Sequence, residues 1–398
     1  MMPTPSTATS SVSLPSRDRP IRILGIGMGW QPEQPGNGLD RVYHALSTHL
    51  PNAGVEMQGL VAGSEEVAQS SEGRVTAVSG TSFPGRLWGM RRAVRTYLAN
   101  HSPDLIASHF APYTVPVLDL IRDLPLVVHF HGPWALESQI EGESAWKVWG
   151  KEAIERLVYR RATRFIVLSE AFRTVLTESY GIPDSKVTVI PGGTNVSHFQ
   201  TGVSRPEARQ RLEWPSDRPI VLSVRRLTPR MGLENLISSI HEVRRSIPDV
   251  LIHIAGKGPL ARPLMARIES EGLSEHVRLL GYLSDEDLPY AYRAANLTVV
   301  PSVALEGFGL ITAESLAAGT PVLVTPVGGL PETVRGLSSA LVLANPSAEA
   351  LADGLRAVLS GDLRLPTSEA CQKYAQENLS WATVANRVGS VYAEVTRS

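Results

Sequence analysis

Leu297-Thr298-Val299-Val300-Pro301 is an apolar run closed by a proline, and after it Glu306-Gly307-Phe308-Gly309 leads into Leu310-Ile311-Thr312-Ala313-Glu314-Ser315-Leu316-Ala317-Ala318-Gly319. The run reads as a strand, the glycines as a loop and the last segment as a helix. That order is the repeating unit of an open parallel sheet, in which ligands bind beyond the carboxyl ends of the strands. A helix N-terminus presents unpaired N–H groups and about half a unit of positive charge, which makes an anion site. Glu306 lies on the loop and Glu314 in the first turns of the helix, so both carboxylates can face one pocket. Carboxylates accept hydrogen bonds from hydroxyls, and the combination points to a phosphate that carries sugars. Two plainer readings compete here. The helix dipole favours an early glutamate whatever the function, and Gly307-Phe308-Gly309 equally suits a tight turn.

The same rhythm runs through the chain. In the first half, short apolar strands are expected at 21–26, 55–59, 105–108, 126–130 and 165–168, with helices at 39–50, 88–99 and 146–161 between them. A turn-rich stretch, 195–219, reads as a linker. Six more strands follow, at 220–224, 251–255, 277–280, 297–301, 321–324 and 340–343, and a helix at 381–394 lies beyond them. Alternating strands and helices imply parallel sheets covered on both faces. The expected architecture is α/β, with two doubly wound domains facing a cleft. Its parts are a tail at 1–19, an N-terminal domain at 20–197, a C-terminal domain at 198–379, and a final helix at 380–398 that crosses back to the first domain.

Composition narrows the function. The 398 residues carry a formal net charge of −1, which gives no overall basic field for nucleic acid. Only five of the 38 basic residues are lysines, so an arginine cannot be read as phosphate-binding from its identity alone. A single cysteine, Cys371, excludes an intrachain disulfide and a multi-cysteine metal site and fits a reducing cytoplasm. No apolar run approaches the ~18 residues of a membrane span, and the Ser/Thr/Pro-rich start has no apolar segment of a signal peptide.

Several clusters could carry chemistry. Gly25 and Gly27 begin a dinucleotide fingerprint, but Trp30 stands at the third glycine position, which counts against a dehydrogenase. Gly36, Asn37 and Gly38 directly precede the first helix and suit close approach of a ligand. His109, His129 and His131 fall near the ends of two strands. A polar contact from His131 is favoured over a metal triad, and a histidine satisfied within the sheet, His129 above all, stays open. Arg225, Arg226 and Arg230 follow a strand and suit a departing diphosphate, or form a solvated loop. Asp285 and Asp287 could hold a cation but look more like a helix cap. Arg86, Trp88, Arg91, Arg92 and Arg95 make a basic amphipathic stretch suited to anionic headgroups, or an ordinary exposed helix. Neither a G-x-S-x-G elbow nor a phosphate-binding G-x-x-x-x-G-K-[ST] loop is present.

Taken in order, these motifs resemble the retaining nucleotide-sugar glycosyltransferases of the GT-B fold, family 4. The resemblance runs from Ile21 to the C-terminal helix and rests most on Glu306-Gly307-Phe308-Gly309 through Glu314, the family's E-x7-E element. Ala318-Gly319-Thr320-Pro321-Val322, Gly328-Gly329, Pro331-Glu332, Gly256 with Gly258-Pro259, and Ile190-Pro191 with Gly193 extend it. It implies that Glu314 binds the donor ribose and that Phe308, Gly309, Leu310 and Ile311 offer N–H groups to sugar and phosphate. It places Glu306 and His131 near the donor sugar, Arg226 on the diphosphate with Arg230 close by, Gly258 and Leu283 on the donor, and Gly36 to Gly38 beside acceptor and phosphates. The implied ligands are a nucleotide-sugar donor and a glycan or lipid-linked acceptor, with no required cofactor and no metal. The implied setting is cytoplasmic, with peripheral contact at the inner face of the membrane. Two departures stand out: Met231 replaces a usual lysine, and Asn195 a common aspartate. The first keeps a second function in view, a non-catalytic nucleotide-sugar-binding scaffold of the same fold. An epimerase or phosphorylase on a similar fold is a third.

Overall fold

The computed structural model describes residues 19–31, 38–80 and 82–397. Of the expected tail only Arg19 falls among them, paired with Asp104 at 2.7 Å. Seven strands form the first sheet: β1 (Ile21–Ile26), β2 (Val55–Ala62), β3 (Val75–Val78), β4 (Leu105–Ser108), β5 (Leu126–Phe130), β6 (Arg164–Val167) and β7 (Val187–Val189). Five form the second: β8 (Ile220–Val224), β9 (Leu251–Ala255), β10 (Val277–Gly281), β11 (Leu297–Val300) and β12 (Val322–Val324). Every pairing is parallel, in the orders β3-β2-β1-β4-β5-β6-β7 and β10-β9-β8-β11-β12. Strands covered by helices on both faces are largely apolar, and β4, β5, β9, β11 and β12 are buried at every residue.

Strand order reverses between β1 and β4 in the first sheet and between β8 and β11 in the second. Crossovers leave in opposite directions at such a point, and the loops beyond the strand ends part to leave a crevice. The loop after β1 leads to the helix that begins at Gly38, and the loops after β4, β8 and β11 carry His109, Arg226 and Glu306.

The last helix, Trp381–Val395, does return to the first domain. Its Trp381, Val384, Val388, Val391 and Tyr392 share a core with Ile21, Leu50, Ala53 and Val55. Gly389 lets it close in, since a Cβ there would sit 3.2 Å from the Ala53 carbonyl oxygen. Where the chain recrosses, Thr194 N donates to Leu379 O (2.7 Å) and Trp381 N to Thr194 O (3.3 Å).

Three expectations change. The edge strands β3 and β7, with four and three residues, were too short to stand out as apolar runs. Residues 340–343 are not a sixth strand: Ser339–Leu341 is a single 3₁₀ turn, and Val342 makes only an isolated bridge to Val324. Leu341 and Leu343 are apolar because they fill the core. The stretch 195–219 is not a bare linker, for it holds helices Val196–Phe199 and Arg205–Arg211. The second is started by a capping box of Ser204 and Glu207, and buried Arg209 ties it down through the carbonyls of Ala294, Pro215 and Ser216.

Trp381 anchors the returning helix, so Trp381→Ala should lower stability by about 3–5 kcal/mol. Chemical denaturation would measure it, and a loss below about 1 kcal/mol would mean that the helix lies outside the cooperative unit.

Candidate functional site

The two switch points face each other across a cavity of about 750 Å³ lined from both domains. On the second domain's wall the helix Leu310–Ala317 starts from Gly309 (φ 77°), a left-handed residue with no room for a side chain: a Cβ would meet Leu330 Cδ2 at 2.5 Å. Thr312 N donates to Gly309 O (2.8 Å), and Leu310 and Ile311, which line the cavity, begin the helix with N–H groups that have no carbonyl one turn earlier in the helix to bond. Gly328 and Gly329 back the same loop, since a Cβ on either would overlap the carbonyl oxygen of Glu306 (1.9 Å) or Gly307 (2.1 Å). Gly307 itself packs on Phe172 of the first domain.

Glu314 is 4% exposed, and each of its oxygens is held. Oε2 accepts from Tyr292 Oη (2.9 Å), while Oε1 is ion-paired with Arg41, from the helix Gly38–His49 of the other domain. Glu314's charge raises the Arg41 pKa, against desolvation by burial, and the same guanidinium reaches Asp285 at 3.4 Å. Asp287 stands at the N-cap position of the helix Leu288–Ala294, but its side chain caps no N–H there and instead accepts from Ser284 Oγ (2.9 Å), while Asp285 lines the cavity.

Glu306 is gripped by a different arginine from the one the motif singled out. Arg225, 9% exposed, is ion-paired with it and bonds Ser302 Oγ. Burial alone would raise the Glu306 pKa, but Arg225, Arg230 and Ser302 outweigh it and hold the carboxyl below its usual range, so Glu306 is ionised. Met231, at the usual lysine position, is buried with its sulfur 2.7 Å from Arg225 Nη2.

Arg226 lines the cavity and remains solvent-exposed; burial of part of its side chain and the neighbouring Arg230 lower its pKa. Arg230 is buried. It donates to Leu305 O (3.0 Å) and approaches Glu137 (3.4 Å) and Glu141 (3.7 Å) across the cleft, so it joins the domains. Glu332 is a further tie, accepting from Glu170 N (2.8 Å) and Ala171 N (3.1 Å) at the start of a first-domain helix.

Phe308, Gly309, Leu310, Ile311, Leu283 and Gly38 all line the cavity or its mouth. Gly258 does not: it sits behind the wall, where a Cβ would strike Leu227 O at 2.4 Å, and Gly256 and Lys257 take the lining position. Gly36 and Asn37 lie outside the described residues.

On the first-domain wall, His129 Nε2 bonds Tyr392 Oη (2.6 Å), which satisfies it within the sheet. His109 stacks face to face on His129 (centroids 4.0 Å, 12°) and meets His131 end to end, Nδ1 to Nε2 at 3.0 Å. This arrangement turns ring nitrogens toward one another instead of converging them on an ion, and among the described residues no cluster of three metal-ligating side chains forms. Burial pushes all three pKa values down, His131 to about 4.

Arg41 and Tyr292 escaped the sequence reading, while Arg225 and His109 left signals, as one of three arginines after a strand and one of three histidines near strand ends, without being assigned a place in the site.

The basic amphipathic stretch is the helix Phe83–Asn100. Arg91 is taken up by Asp119 (2.5 Å) and Arg86 is half-buried, while Trp88, Arg92 and Arg95 face outward. Another helix on the same sheet face, Ala145–Arg161, exposes Trp146, Trp149 and Leu157 along one stripe.

The neutral histidines have a measurable consequence. Below pH 6.5 the unfolded chain takes up protons that the folded rings refuse, so their contribution to stability is complete above that pH and fades as pH falls toward the folded values. Urea midpoints should drop on acidification from neutral pH to about pH 5, and by less in His131→Gln. Equal drops in the two proteins would contradict the assignment.

Comparison with known proteins agrees with this geometry. Residues 204–378 match the family described as glycosyl transferases group 1, and residues 36–198 match glycosyltransferase family 4. A D-inositol 3-phosphate glycosyltransferase from Corynebacterium jeikeium is 31% identical over 74% of this chain and 73% of its own length. A GDP-mannose-dependent phosphatidylinositol monomannoside mannosyltransferase from Mycobacterium tuberculosis is 26% identical over 60% of this chain. The chain spans 65% of that relative's length, and 62% of a glycosyltransferase from Methanocaldococcus jannaschii. Among solved structures, Anabaena HepE in complex with UDP and glucose superposes with a TM-score of 0.77 at 20% identity, over 94% of this chain and all of that one, which establishes the fold. The chain belongs to the glycosyltransferases of family 4, with the two-domain GT-B architecture.

Proposed function

We propose that this chain transfers a sugar from a nucleoside diphosphate to an acceptor hydroxyl with retention of anomeric configuration. One observation carries the reading: a buried carboxylate, Glu314, beside the open N-terminus of the switch-point helix, with exposed Arg226 on the same cavity wall. The vicinal hydroxyls of a ribose donate to a carboxylate, and the diphosphate takes the helix N–H groups and the guanidinium. Arg41 yields its place on Glu314 as the ribose enters. Leu283, on the loop with Tyr282, borders the base, and His131 and Glu306 border the sugar.

As the bond from the anomeric carbon to the β-phosphate oxygen breaks, negative charge grows on the phosphate and positive charge on the sugar. Fixed dipoles and Arg226 stabilise the first, and each such donor commonly contributes about 3 kcal/mol to lowering the barrier. Glu306, ionised but paired with Arg225 and Ser302, is poorly placed as a covalent nucleophile. That favours attack on the face the phosphate leaves, with the acceptor's proton passing to a phosphate oxygen. This mechanism assigns no role to a metal or cofactor.

The relatives point to different donors, UDP with glucose for HepE and GDP-mannose for the mycobacterial enzyme, so both bases enter a donor panel. A glycan or lipid-linked hydroxyl is the acceptor class, and the corynebacterial relative adds a phosphorylated polyol. The outward Trp88, Arg92 and Arg95, together with Trp146 and Trp149, suit peripheral contact with an anionic membrane on its cytoplasmic side. No described helix is long and apolar enough to cross a membrane.

Release of nucleoside diphosphate from UDP-, GDP- and ADP-sugars tests the reading. Glu314→Gln should raise the donor KM, and Arg226→Ala should lower kcat by roughly 10²–10³-fold. Unchanged donor affinity and turnover in both variants would remove the site assignment. Donor binding without release, across acceptors, would favour the scaffold reading that Met231 raises. Co-sedimentation with phosphatidylglycerol vesicles should be lost in a Trp88→Ser/Arg92→Ser/Arg95→Ser variant, while equal binding by that variant would exclude this face.

A further inference from the structure

Arg225 lines the cavity with a side chain only 6% exposed, and the nitrogens of its guanidinium are unevenly used. We infer that Arg225 is a second ligand of the donor's diphosphate, donating from Nη1 to an oxygen of the β-phosphate while Nη2 stays on Glu306. The inference rests on the reading that the diphosphate lies against Arg226 and the N-terminus of the helix Leu310–Ala317.

A guanidinium spreads five N–H donors over three nitrogens. In Arg225 one nitrogen, Nη2, makes every contact: the ion pair with Glu306 Oε2, a bond to Ser302 Oγ (2.5 Å) and the approach to the Met231 sulfur (2.7 Å). Nε is buried and meets no acceptor. Nη1 makes no hydrogen bond among the described residues, yet it is not shut away from solvent as Nε is, so it is the nitrogen left open where the side chain borders the cavity. Arg230 differs in this respect. Its Nη1 bonds Leu305 O (3.0 Å), its Nη2 faces Glu137 (3.4 Å) and its Nε faces Glu141 (3.7 Å), so each of its nitrogens meets a protein oxygen.

Charge decides what the open nitrogen meets. Glu306 is ionised although burial opposes it, and a diphosphate arriving at Arg226 brings more negative charge to the same wall. Two anions in a site shielded from water repel strongly unless a cation lies between them. Arg225 is bonded to the first and is the chain neighbour of Arg226, the ligand proposed for the second. Its backbone is fixed as well: its N–H donates to Ala255 O (2.8 Å), and its carbonyl packs on Gly256, where a Cβ would come within 1.8 Å of the oxygen. Met231 keeps the Nη2 flank neutral, whereas a lysine there would set an ammonium against the same guanidinium. Charge grows on the β-phosphate as the glycosidic bond breaks, so a preorganised N–H at that oxygen strengthens toward the transition state.

Titration calorimetry of the full chain with UDP and UMP, GDP and GMP, and ADP and AMP reads the β-phosphate contact without any acceptor. The parent should bind the diphosphate of its preferred base more tightly than the monophosphate, and Arg226→Ala should shrink that preference. Removing Arg225 alone would leave Glu306 free to repel the nucleotide, so the decisive comparison starts from Glu306→Gln. Adding Arg225→Gln to Glu306→Gln should cut the preference for the diphosphate about tenfold and leave the monophosphate affinity within about threefold. No charge of the pair is then buried without its partner. Equal preferences in Glu306→Gln and in the double variant overturn the inference and leave Arg225 as the counter-ion of Glu306 alone. Should the double variant fail to fold, the distance from Arg225 Nη1 to the β-phosphate in a diphosphate complex decides, and a separation above about 4 Å overturns it. A parent without any preference for the diphosphate removes the reading of the cavity and the inference together, while a loss seen with Arg226→Ala but not with the Arg225 substitution removes the inference alone.

Discussion

A carboxylate almost wholly removed from water must be paired, and Glu314 shows how much of the molecule that requirement organises. Its two oxygens are held by Tyr292 from its own domain and by Arg41 from the other, so the ion pair also sets how the cleft closes. Breaking it without a replacement would leave two desolvated charges, which is far costlier than losing a surface bridge. On the proposed reading hydroxyl donors of the ligand replace Arg41 on Glu314, and Asp285, 3.4 Å from the same guanidinium, stays as its counter-charge. That exchange would couple donor binding to the domain arrangement, which Arg230 and Glu332 also tie.

The other charged groups follow the same logic. Glu306 stays ionised because Arg225 and Ser302 offset its burial, and Arg230 meets Glu137 and Glu141 across the cleft. Of the three arginines after β8, two are already paired with protein carboxylates, while Arg226 keeps solvent contact. A chain with a net charge of −1 can thus still present a local cation to its cavity.

What could be read in the sequence was what is local. Strand, glycine loop and helix around Glu306 to Glu314 are consecutive, and both the period of the apolar residues and the position of Gly309 follow from backbone geometry. The face shared by His129 and His131 was equally readable from their spacing. Arg41 was not, since its partner lies 273 residues away and nothing in the spacing of either residue encodes the pairing. Gly258 was misplaced for a related reason: a glycine needed for close backbone approach and a glycine needed by a ligand look alike in sequence. The helix Arg205–Arg211 did leave a signal, the capping box Ser204 to Glu207, inside a segment whose prolines and turns read as a linker. The strand expected at 340–343 failed because burial, not pairing, makes those residues apolar.

The most direct test is a crystal structure of the full chain with a nucleoside diphosphate bound. The ribose hydroxyls should lie on Glu314 with Arg41 displaced from it, and the diphosphate should lie against Arg226 and the first N–H groups of the helix Leu310–Ala317. A nucleotide bound elsewhere, or bound with the pair between Arg41 and Glu314 intact, would contradict the assignment.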